Sequence, residues 1–97
     1  MFVTTVLIQV KEEHIDDFIE ATIINHEKSV REPGNRRFDL LQQVEDPSRF
    51  ILYEAYATEA DAAGHKETDH YRTWRDAVAP FMEVPRQGIK HRSIRPE

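Results

Sequence analysis

The chain alternates apolar and polar positions at the two-residue period of a strand in four places. Between them, apolar positions recur every three or four residues, the period of a helix. From Phe2 to Val10, Val6, Ile8 and Val10 share one side and Thr5, Leu7 and Gln9 the other, which predicts a first strand. From Lys11 to Arg31, the spacing of Ile15, Phe18, Ile19, Thr22, Ile23, His26 and Val30 predicts a long amphipathic helix. Glu12, Glu13, Asp16 and Asp17 suit its N-terminal dipole, and Pro33-Gly34 marks its end. Arg36–Val44 predicts a second strand, and Glu45-Asp46-Pro47 a turn. Ser48–Tyr56 completes a hairpin. Thr58 is a plain N-cap for a short helix over 59–64, with Gly64 expected to stop it. Residues 65–68 cross to a helix over 69–82, whose apolar stripe is Tyr71, Trp74, Val78 and Phe81 and whose end Pro80 bends. A loop over 85–88 and a short strand over 89–94 follow.

The order β-α-β-β-α-β, with the second helix broken in two, is the ferredoxin-like pattern of the α+β class. It predicts one domain over residues 1–97: a four-stranded antiparallel sheet with helices on one face. The third strand is the chain's organising element. Phe50, Leu52, Glu54 and Tyr56 point one way and Ile51, Tyr53 and Ala55 the other, so both faces are largely apolar. The face without helices is therefore expected to pack on a second copy, giving a homodimer.

Composition narrows the partners. A net charge of −5 argues against nucleic acid. The basic run Lys90, His91, Arg92 and Arg95 reads as a charged edge strand, a guard against sheet-to-sheet aggregation. No apolar run approaches the ~18 residues of a membrane span, so no membrane partner is expected. There is no cysteine, hence no thiolate chemistry and no disulfide, which suits a cytoplasmic protein. No nucleotide-binding or serine-hydrolase motif is present.

The candidate chemistry is that of proton transfer. Glu54 stands mid-strand, where a carboxylate needs a partner or a task. His26 lies on the first helix's inward stripe, flanked by Asn25 and Ser29, and His65 follows the short helix. These three are the candidate acid–base residues. Asn25, Ser29, Arg37, Tyr56, Lys66, His70, Tyr71 and Trp74 are the candidate substrate-binding residues. Arg37, Arg49 and Lys66 suit an anionic group such as phosphate. Plainer uses exist for each: His26 as a core histidine, Glu54 as an acceptor for Arg37 or a helix N-terminus, His65 as a surface residue. The spacing His65-x4-His70 is not that of a helical ligand pair, so no metal is expected.

The runs Asn25-His26, Ser29-Val30-Arg31-x-Pro33-Gly34-Asn35-x-Arg37-Phe38-Asp39, Ser48-Arg49-Phe50, Tyr53-Glu54-Ala55-Tyr56, His65-Lys66 and His70-Tyr71 together resemble the antibiotic-biosynthesis monooxygenase superfamily. The resemblance covers nearly the whole chain. It implies a dimeric α+β barrel with a ligand cavity between each sheet and its helices. It also implies a small-molecule enzyme that needs no metal or flavin. Two groups within the superfamily are similar. One oxidises quinols with oxygen; the other isomerises the phosphorylated autoinducer-2 signal, a hydroxy-pentanedione. The expectation from the sequence is a cofactor-independent monooxygenase acting on a phenolic or enolisable substrate. The isomerase is the alternative, and a non-catalytic ligand-binding dimer a third reading.

Overall fold

The computed structural model describes residues 1–97. Its elements are β1 (Phe2–Gln9), α1 (Ile15–Ser29), β2 (Asn35–Gln42), β3 (Arg49–Tyr56), α2 (Glu59–His65), α3 (Asp69–Val78) and β4 (Gln87–Arg92). One antiparallel sheet runs in the order β2-β3-β1-β4. The expected ferredoxin-like order is thus observed, with β3 and β1 central.

β3 divides as its alternation predicts. Phe50, Leu52, Glu54 and Tyr56 are buried toward the helices, while Ile51 and Tyr53 lie on the open face. Opposite them in register, Val6 and Ile8 of β1 and Leu40 and Phe38 of β2 extend the helix-facing layer. Phe18 of α1 and Trp74 and Val78 of α3 close over it. Phe18 tilts against Phe50 at 4.8 Å between ring centroids. A side chain as large as Phe18, wholly removed from water, contributes roughly 1.5–3 kcal/mol.

Four local expectations differ from the structure. The first helix begins as a 3-10 turn (Glu12–His14), and the Lys11 backbone N–H before it donates to the Phe81 carbonyl at 2.8 Å, docking the helix entry on the chain that leaves α3. The buried stripe of α1 is Phe18, Thr22, Asn25 and Ser29; Ile23 and Val30 are exposed instead. Trp74 decides this rotation: its indole N–H donates to Thr22 Oγ1 at 3.0 Å, and the hydroxyl of Ser29 donates to Asn25 Oδ1 at 3.2 Å. Thr22 meets the bulky tryptophan, and each buried polar side chain has a partner, so burying them is tolerated.

Gly64 does not stop α2, which runs one residue further and ends on His65. β4 lies two residues earlier than the pattern suggests, since Gln87 and Gly88 pair with Leu7 and Val6. No helix is long and apolar enough to cross a membrane.

Candidate active site

Glu54 and Tyr56 are two residues apart on one strand face, so their side chains lie side by side. The Tyr56 hydroxyl donates to Glu54 Oε1 at 2.7 Å. Above them α2 delivers His65. Its start is set by Thr58, whose hydroxyl accepts from the Asp61 backbone N–H at 3.1 Å. Seven residues of helix then carry His65 down onto the sheet, where it is 3% exposed. The imidazole is walled by rings: Tyr71 at 5.3 Å, Tyr56 at 5.7 Å and Phe38 at 6.3 Å between centroids.

Both His65 nitrogens face carboxyl groups. Nδ1 is 2.7 Å from Glu32 Oε2, and Nε2 is 3.5 Å from Glu54 Oε1. His70 Nε2 meets the same Glu32 oxygen at 2.6 Å. A carboxylate only accepts, so each ring nitrogen facing Glu32 carries the hydrogen. A neutral His65 then turns the lone pair of Nε2 toward Glu54. The result is a row of polar groups in which Tyr56 is bonded to Glu54, and His65 and His70 to Glu32, with 3.5 Å between His65 and Glu54.

Burial pushes the Glu54 carboxyl above its ordinary range; the Tyr56 hydrogen bond and the neighbouring His65 and Lys66 side chains offset this only in part. Burial, and then the adjacent Glu54, also push the Tyr56 hydroxyl far above the usual tyrosine range, so it serves as a donor and not as a base.

Tyr56, Glu54 and His65 of this group line a cavity of about 580 Å³. The size falls within the range of small-molecule sites, ~300–1,000 Å³. Glu54, Tyr56, His65, Lys66, Tyr71 and Trp74 all line it, as the sequence suggested. Five other candidates do not line it, among them His70, an expected substrate-binding residue whose Nε2 is instead taken up by Glu32. His26 sits over the outer edge of the sheet, edge-on to Phe38 at 5.5 Å, and Phe38 stands between it and His65. Arg37 is exposed and paired with Asp39 at 2.7 Å, so it is not the partner of Glu54. Asn25 and Ser29 are buried against each other in the packing of α1. The pairing of His26 with Glu54 therefore does not occur; the imidazole beside Glu54 is His65. Arg49, a candidate for an anion, bonds Asp46 at the hairpin turn instead.

Glu32 and Arg86 are the residues that the pattern of the sequence did not single out. Glu32 follows the last turn of α1, where its backbone N–H still reaches the Ser29 carbonyl at 3.1 Å. The signal available was its place before Pro33-Gly34, a chain reversal that aims the preceding side chain back under α2. The ligand atoms of Glu32, His65 and His70 lie within 4.8 Å of one another, the set that could hold a metal ion. The spacing His65-x4-His70 argued only against a ligand pair on one helix; the two histidines come from α2 and α3 and converge on Glu32. In the present geometry one oxygen accepts from both rings.

The fold and this site define the chain as a member of the antibiotic biosynthesis monooxygenase family, whose model matches residues 1–77. Among its relatives are isomerases of (4S)-4-hydroxy-5-phosphonooxypentane-2,3-dione. That of Yersinia enterocolitica is 46% identical over 87 residues, covering 90% of this chain and 91% of the relative. That of Klebsiella pneumoniae is 45% identical, covering 90% and 89%. A solved member of the family from Nitrosomonas europaea is 56% identical with a TM-score of 0.95, covering 97% of this chain and 99% of that one. A protein from Methanosarcina mazei shares the fold, with a TM-score of 0.90 at 19% identity over 94% and 90% of the two chains.

Proposed function

We propose that this protein isomerises a phosphorylated hydroxy-dione of the kind named for its curated relatives, and that monooxygenation, the first expectation from the sequence, is not its reaction. The observation that carries this reading is the buried His65 imidazole held between Glu32 and the buried Glu54 carboxyl at the wall of a cavity. An aldose–ketose type of rearrangement needs that combination: a base beside an acid, both shielded from water.

In this mechanism the substrate lies with its C3 carbonyl toward Glu54 and its C4–H toward Nε2 of His65. Nε2 takes the C4 proton while the Glu54 carboxyl donates to the C3 oxygen, which gives an enediol between C3 and C4. The C4 hydroxyl then returns its proton to Glu54 and becomes the carbonyl, and the imidazolium delivers a proton to C3. The carbonyl moves from C3 to C4, with no net gain or loss of electrons. Glu32 stabilises the imidazolium and holds the tautomer, with His70 fixing Glu32; both are positioning residues. Tyr56 holds Glu54 by donating to Oε1, which leaves Oε2 to carry the mobile proton. Trp74 and Tyr71 limit water.

The test is NMR of the purified protein with the phosphorylated dione in deuterated water under nitrogen. The expected result is an isomer of the same skeleton with deuterium at C3. Absence of any rearrangement, together with oxygen uptake on a panel of quinols, would return the protein to the monooxygenase reading.

A further inference from the structure

The cavity has a second chemical feature that the proton-transfer chain leaves unused. Arg86, on the segment leading into β4, lines it and lies over the Trp74 ring, with its guanidinium carbon 5.2 Å from the ring centroid. Attraction to the ring face holds the cation in place and still leaves N–H groups free for an anionic acceptor. Five other arginines, 37, 49, 72, 75 and 95, each hold a carboxylate. Arg86 is half-buried, yet no protein acceptor receives its N–H groups. Lys66 lines the same cavity, also outside any ion pair. Lys90, which is exposed and outside the lining, shares the sheet face of Glu54 by register: it pairs with Thr4, which pairs with Glu54. The carboxyl groups on the lining are Glu54, held toward its uncharged form by burial, and Glu83, which is exposed.

We infer that Arg86, held over Trp74 and assisted by Lys66, is the anion-binding end of this cavity and selects substrates that carry a phosphoryl group. A phosphoryl group brings about −1.5 to −2 charge and three acceptor oxygens, which match the free edge of the guanidinium. That the anion belongs to a dione rests on the isomerase reading above; that the cavity binds a phosphoryl anion does not.

Two measurements separate these claims. The first compares kcat/KM for the phosphorylated dione and its unphosphorylated counterpart in wild type, Arg86→Ala and Arg86→Lys. The expected ratio of the two values falls roughly 10- to 100-fold in Arg86→Ala, with Arg86→Lys between, because lysine keeps the charge and loses the fork. The second titrates inorganic phosphate against the emission of Trp74, the chain's single tryptophan. A saturable change is expected in wild type and its loss in Arg86→Ala, with far-UV circular dichroism confirming that both are folded. An unchanged substrate ratio, or an identical phosphate titration in the two proteins, overturns the assignment. If wild type turns over neither dione, the isomerase reading fails, and the phosphate titration alone decides the anion site.

Discussion

Glu54 shows how one residue's surroundings set its chemistry. Water is excluded around it, so the charged form is disfavoured, and its folded pKa lies above that of the unfolded chain. The folded protein therefore keeps a proton that the unfolded chain releases above about pH 4.3. By linkage, the stability that Glu54 contributes is full below that pH and declines as pH rises toward the folded value. Glu54→Gln has no proton to release. In urea titrations stepped through that window, wild type is expected to lose stability relative to Glu54→Gln as pH rises; a constant difference would mean that Glu54 ionises normally in the fold. The same variant, and His65→Ala, are each expected to lose roughly 10²–10⁴-fold in turnover with circular dichroism unchanged. His26→Ala is expected to keep its activity, because Phe38 separates that ring from the cavity. Equal losses in all three would break the assignment of His65 as base.

The elements matter here because they carry these side chains to one point. Gly34, where the chain turns from α1 into β2, is packed so tightly on Asp61 of α2 that a Cβ there would overlap the Asp61 side chain. The Ala57 backbone N–H also donates to the Gly34 carbonyl at 2.8 Å. This close approach holds the reversal that bears Glu32 against the helix that bears His65. Gly34→Ala is expected to cost about 1–3 kcal/mol in denaturant unfolding. The cost should shrink when measured in an Asp61→Gly background, since that removes the overlapping atoms; an undiminished cost would place the strain elsewhere. The start of α3 depends on Thr68, whose hydroxyl accepts from the Tyr71 backbone N–H at 3.2 Å and donates to the His65 carbonyl at 2.7 Å. Thr68→Ala loses both bonds and is expected to cost about 1–2 kcal/mol. Because Thr68 also ties the end of α2, lowered turnover should accompany the lowered stability.

At the scale of the molecule, helices cover one face of the sheet and leave Leu41, Ile51 and Leu7 in a row across β2, β3 and β1 on the other. Each is 41–50% exposed in the single chain. Three adjacent aliphatic side chains favour burial against a matching surface, and a second copy supplies one by symmetry. Sedimentation is expected to give a dimer for wild type and a monomer for Ile51→Glu. A monomeric wild type would show that this face is simply solvated.

The strands, the helices and their order follow from the chain's own periodicity, because period and turn chemistry are local properties. The alternation around Glu54 is enough to turn it toward the helices with Tyr56 beside it. Cavity membership for His65, Lys66, Tyr71 and Trp74 was legible in the same way, through their places near the ends of the last two helices and on an apolar stripe. The identity of the imidazole beside Glu54 was not. The stripe of α1 reads equally well through Ile23 and His26 or through Thr22, Asn25 and Ser29. Only the bulk of Trp74, 52 residues away, and its bond to Thr22 settle that rotation and turn His26 to the sheet edge. Glu32 and Arg86 escaped the sequence for the same reason. Their partners, two histidines on different helices and the face of one indole, are distant along the chain and meet only when the helices close over the sheet.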